Sequence, residues 1–116
     1  MNHDDPTVTD PAHYRVMFEN ERVRVLEYRD EPGDRTHEHR HPDSVMVTLS
    51  AFRRRVTAGE RSVDVELSAG EARWVGAQQH HGENTGDSGS HSIFVELKEP
   101  AASAPGMQGP LGPSAR

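Results

Sequence analysis

Apolar residues fall into short stretches bounded by turn residues: YRVMF (14–18), VRVLEY (23–28), VMVTLSAF (45–52), SVDVEL (62–67), ARWVG (72–76) and HSIFVEL (91–97). Their length and spacing predict strands. Val63, Val65 and Leu67 alternate with Asp64 and Glu66, which predicts a half-buried strand with one wet face. Ala58-Gly59-Glu60-Arg61 supplies its hairpin turn. In the last stretch His91 is in phase with Ile93, Val95 and Leu97, so all four are predicted to point inward. No long segment keeps a helical period, and helix is expected only as a minor element. Many short strands in one small chain predict an all-β domain, closed as a jelly-roll barrel that reduces its exposed edges. Trp74 is read as core, being the one tryptophan of the domain.

The chain has 116 residues, which fits a single domain. Six of its eight prolines lie before Tyr14 or after Glu99. Residues 1–13 and 99–116 are therefore read as a flexible N-terminal tail and a Pro/Gly/Ala-rich C-terminal tail flanking a domain at 14–98. Cysteine is absent, which excludes disulfides, thiolate metal sites and a Cys nucleophile. A net charge of −6, with Arg53-Arg54-Arg55 the only basic run, gives no field for nucleic acid. No apolar run approaches the roughly 20 residues of a membrane span, and residues 1–13 lack a basic-then-apolar leader pattern. The expectation is a cytoplasmic protein whose partner is a small molecule, with no nucleic acid and no membrane.

Eight histidines stand out in so small a chain. In THEHRHP, residues His37, His39 and His41 are spaced by two, and on an extended strand that spacing points all three rings to one face. A second group, His80-His81-Gly82-Glu83-Asn84, follows the 72–76 strand. Neutral imidazoles suit zinc, iron, nickel, copper or manganese. The blander readings are polar residues on a wet strand, or acid–base groups in a pocket without metal.

On these residues the chain resembles a small single-domain member of the cupin superfamily, from about Glu27 to Lys98. Gly33, five residues, then His39-Arg40-His41 matches the first half of the first cupin motif. The glutamate that should follow falls at Val45 or Met46, so that ligand is missing. In the second motif, Gly70 fits the start while Gly76 and Gln78 replace the usual Pro and Gly. Counted from Gly70 the motif histidine is His81; counted back from Asn84 through HxxxN it is His80. His80 is preferred, because the ligand-to-Asn turn is the stiffer part of the motif. The resemblance implies a jelly roll holding one divalent transition metal (Fe, Zn, Ni, Mn or Cu) on His39, His41 and His80. Three protein ligands leave positions open, as catalytic metal sites do.

His37 is either a replacement fourth ligand, a donor orienting one of the others, or a rim histidine, the last being favoured. If Met46 faces the cavity, strand parity carries Thr48, Ser50, Phe52 and Arg54 to the same side, where Arg54 could hold a substrate carboxylate or enolate; a solvated arginine face is the alternative. His91 is read as lining the cavity or as a structural histidine. Glu83 is read as a general base or as a solvated loop carboxylate. The function expected is a metal-dependent enzyme of dioxygenase, isomerase or lyase type acting on a small organic molecule. The alternatives are a non-catalytic small-ligand binding or sensing protein and a metal-free isomerase using His as acid–base. Small size and the Tyr14–Phe18 segment as a free edge add the expectation of a homodimer.

Overall fold

The computed structural model describes residues 3–98 and 111–112. One helical turn, α1 (Pro6–Thr9), precedes strands β1 (Tyr14–Glu19), β2 (Val23–Asp30), β3 (His39–His41), β4 (Ser44–Thr48), β5 (Phe52–Ala58), β6 (Arg61–Leu67), β7 (Ala72–Val75), β8 (Gln78–Asn84) and β9 (Ser90–Leu97). They form two antiparallel sheets, β1-β2-β9-β4-β7 and β3-β8-β5-β6, a jelly-roll arrangement. The β5–β6 hairpin turns at Gly59, whose φ of 61° lies in the left-handed region that glycine adopts without steric cost. The stretch read as one strand over 45–52 is two: the chain leaves the first sheet after Thr48 and enters the second at Phe52. Parity nevertheless survives the corner, and Met46, Thr48 and Phe52 are all buried.

The core lies between the sheets and consists of Tyr14, Leu26, Tyr28, Met46, Phe52, Leu67, Val75 and Phe94. Trp74, expected in it, is instead 41% exposed. Its neighbour Val75 takes the inward place, so the alternation along β7 sends the indole out. On β6 only Leu67 is buried and Val63 lies out on the surface, because this edge strand runs past the end of the core.

Strand β9 reverses its predicted phase. Ser90, Ser92, Phe94 and Glu96 point inward, while His91, Ile93, Val95 and Leu97 face out. The outward residues join a row that crosses all five strands, Phe18–Val25–Val95–Val45–Trp74, each paired with the next in register. The outer face of the other sheet is polar by contrast, carrying Arg53, Arg55, Asp64, Glu66 and Glu83.

The N-terminal segment is not a free tail from Asp4 onward. Asp5 caps α1 by accepting from the Thr7 backbone N–H at 2.8 Å, and Pro6 begins the turn where its missing N–H costs nothing. Arg40 N–H donates to the Asp4 carbonyl at 2.7 Å, Arg24 pairs with Asp5 at 2.9 Å, and Asp10 accepts from His37 N–H at 3.0 Å. The C-terminal tail lies outside the described residues except for Leu111 and Gly112, which are buried. Among the described residues, no helix is long and apolar enough to cross a membrane.

Candidate metal centre

Strands β3 and β8 are neighbours, so the two histidine groups meet side by side rather than across a barrel. His39 is the direct cross-strand partner of His80, and His41 of Gln78. The two-residue spacing in β3 turns His39 and His41 to the inside, each 1% exposed, with Arg40 outside. Ring centroids lie 4.7 Å apart for His39–His41, 5.0 Å for His39–His80 and 5.2 Å for His41–His80. One nitrogen from each ring falls within 4.8 Å of the other two, the one such group of three among the described residues.

Each ring is tied on its Nδ1 side. His39 Nδ1 donates to the His37 carbonyl at 2.7 Å, His41 Nδ1 to the Glu96 carboxylate at 3.2 Å, and His80 Nδ1 to the Gln78 side-chain oxygen at 2.7 Å. A proton fixed on Nδ1 leaves the lone pair on Nε2. His39 Nε2 is buried without any hydrogen-bond partner. Leaving a polar atom so costs about 1–3 kcal/mol unless something else satisfies it. Burial, and then the charge His41 would carry, hold His39 down at about 4, and the same causes hold His80 well below its ordinary value. Both rings are therefore neutral at pH 7. Neutral imidazoles with tied Nδ1 and an orphaned Nε2 fit a divalent transition metal.

Two buried charge networks flank the histidines. Glu96, 2% exposed near the end of β9, bridges His41 to Arg24 at 2.9 Å, and Arg24 in turn holds Asp5. On the other side Arg54 lies over the Tyr28 ring at 5.0 Å, donates to the Tyr28 hydroxyl at 3.1 Å and pairs with Asp30 at 3.2 Å. Asp30 also accepts from Tyr28, from Ser90 at 2.6 Å and from Asn84 at 2.9 Å. Gly82 makes room for the guanidinium, since a Cβ there would stand 2.7 Å from Arg54 Nη2. The cavity beside His39 and His80, about 40 Å³, has walls of Met46, Phe52, Val56, Val75 and Phe94. Met46 thus occupies the place of the missing motif glutamate and makes it an apolar wall.

Arg54 faces this cavity, but Asp30 already neutralises it, so it is not a free anchor for a substrate carboxylate. Four other sequence candidates lie elsewhere. His37 precedes β3, its side chain is 80% exposed and its Nδ1 donates to Asp10 at 2.9 Å, so it does not share the inner face with His39 and His41. His91 points outward and donates to Glu27 at 2.7 Å, a consequence of the reversed phase of β9. His81 and Glu83 are on the outer face of β8, opposite His80, Gly82 and Asn84, and Glu83 lies 3.7 Å from Arg35. Sequence reading missed Glu96, Asp30, Tyr14 and Tyr28. Glu96 had a visible signal, a lone carboxylate between Val95 and Leu97. The tyrosines looked like ordinary strand residues.

No family model matches the chain, and no curated protein matches it. Solved structures do. A cupin domain from Bordetella pertussis is 31% identical over 74% of this chain and 92% of its own, with a TM-score of 0.69. An uncharacterised conserved protein with a double-stranded β-helix domain from Klebsiella pneumoniae is 22% identical over 73% and 75%, with a TM-score of 0.59. The polyketide cyclase RemF of Streptomyces resistomycificus shares the fold at 16% identity over 74% and 64%, with a TM-score of 0.58.

Proposed function

The chain belongs to the cupin superfamily, and from that premise we propose that it is a metal-dependent enzyme acting on a small organic molecule, with one divalent transition metal (Fe, Zn, Ni, Mn or Cu) held by His39, His41 and His80. The observation that carries this reading is the buried, partnerless Nε2 of His39 beside two further inward imidazoles. A metal bound there would supply Lewis-acid polarisation of a substrate oxygen. The chain's own residues do the rest. Glu96 accepts from His41 Nδ1 and so fixes which nitrogen faces the cavity. Met46, Phe52 and Phe94 give the cavity an apolar wall against which the carbon skeleton of a substrate would pack. The Tyr14 hydroxyl, 3.5 Å from His41 Nε2, places a proton-bearing group beside the centre. Dioxygenase, isomerase and lyase chemistry all suit such a site.

A metal-free acid–base role fits less well, because burial deprives His39 and His80 of the basicity a general base needs at neutral pH. A turnover and oxygen-uptake screen of the metal-supplemented protein tests the enzymatic reading. Metal-dependent turnover that a chelator abolishes is expected. Saturable binding of small ligands without turnover would instead favour a binding or sensing protein. Glu96→Gln is expected to lower metal affinity 10- to 100-fold, the usual effect of a lost ligand-orienting carboxylate, as checked by competitive titration with a chromogenic chelator.

We also propose a homodimer built on the outer face of the five-stranded sheet rather than on the β1 edge alone. Glu27 at the rim of that face is already paired within the chain, with Arg15 at 2.7 Å and with the His91 ring at 2.7 Å, so its carboxylate presents little repulsion to a second copy. Light scattering should give twice the chain mass, and Val95→Glu, a charge in the centre of the row, should give the monomer.

A further inference from the structure

Leu111 and Gly112 lie between two spaces. Leu111, 9% exposed, lines an outer groove of about 760 Å³ together with His41, Gln78 and Glu96. Gly112 lines the inner cavity together with His39, His80 and Arg54. Being consecutive, the two residues stand between the groove and the cavity. Gly112 is held there by polar and apolar contacts. Its N–H donates to the Gln78 side-chain oxygen at 2.7 Å, the same oxygen that accepts from His80 Nδ1. A Cβ built on it would lie 3.6 Å from Val65 and 3.8 Å from Val56, ordinary contact distances against a valine wall. Its φ of 72° is one that glycine takes without strain.

Resting on the reading of this cavity as the ligand site, we propose that the ligand enters over Gln78 and that Leu111-Gly112 occupies this entrance as an internal ligand. The class of molecule that displaces it follows from what the entrance offers. Gln78 presents a carbonyl-type acceptor, the wall is valine, and the one guanidinium that lines the same cavity, Arg54, already has Asp30 as its counter-charge. The displacing ligand is neutral there and carries an N–H or O–H donor next to a branched apolar group, as an acylated amino acid or a small amide does. Displacement also removes the Gly112 hydrogen bond from the Gln78 oxygen that accepts from His80 Nδ1, so occupancy of the entrance is coupled to the orientation of His80.

The test uses the full chain without metal, in the presence of a chelator, so that it stands or falls apart from the metal assignment. Diethyl pyrocarbonate acylates accessible neutral imidazoles, and exposed His37 in the same molecule serves as the internal reference. Leu111→Asp should raise the acylation rate of His80 relative to His37 about tenfold, and amide exchange at Gly112, slow in the unmodified chain, should become fast. Added in trans, the peptide Pro-Leu-Gly-Pro-Ser, the sequence of residues 110–114, should restore slow acylation of His80 in Leu111→Asp, and Pro-Asp-Gly-Pro-Ser should not. Equal His80 rates in the two proteins, or unprotected Gly112 in the unmodified chain, would overturn the proposal. Faster acylation that the leucine peptide fails to reverse would overturn the entrance as a binding site.

Discussion

His39→Ala is expected to lower metal affinity by more than 100-fold while leaving strand content unchanged. Loss of a group that merely orients a ligand already costs about 10- to 100-fold, so loss of a ligand must cost more. His39 is the ring with the orphaned Nε2, and with His37 turned out to solvent no fourth imidazole stands by to replace it. The fold should survive because the imidazole is cross-strand to His80 in a two-strand register that the backbone maintains on its own. Titration with cobalt, read by its visible absorption, compares the two proteins directly. Undiminished affinity in His39→Ala would mean that the three rings do not form the site.

The second large effect concerns stability. Asp30→Ala is expected to cost about 3–5 kcal/mol, because it leaves the Arg54 guanidinium buried without its counter-charge. Ser90, Asn84 and Tyr28 lose their acceptor in the same step. Urea denaturation gives the difference, and a change under about 1 kcal/mol would contradict the assignment. The pH dependence has a fixed sign. Burial pushes the Asp30 carboxyl up, but hydrogen bonds from Ser90 and Tyr28 and the charge of Arg54 outweigh it and bring it below its ordinary value. A carboxyl depressed in the folded state contributes stability that is fully present above about pH 4 and is lost as pH falls through the folded value. Asp30→Asn should therefore show a shallower loss of stability on the acid side than the unmodified chain.

Much of the fold was legible because short apolar stretches and turn residues mark strands whatever their partners. Strands β1, β2, β6, β7 and β9 stand where those stretches lie. β8 was not legible, since Gln78 to Asn84 carries no apolar alternation; its inward positions are spent on His80, Gly82 and Asn84 instead. The β9 phase failed for a related reason. Ile93, Val95 and Leu97 obey the rule that apolar residues alternate, but they face the outer row, while the inner face carries Glu96 and Ser92 beside the histidines. Of the site, the HxH spacing and the Asn84 register pointed to the three rings that the structure brings together. Asp30 and Arg24 were hidden because their roles come from pairings across strands far apart in sequence, which no local pattern records.

Three imidazoles that hold a metal should retain it through purification, so the metal content of protein purified without a histidine tag decides whether they do. Elemental analysis by plasma mass spectrometry, after expression with and without added iron, manganese, zinc, nickel and copper, should find about one transition-metal ion per chain in at least one condition. Less than about a tenth of an ion per chain in every condition would mean that His39, His41 and His80 hold no metal.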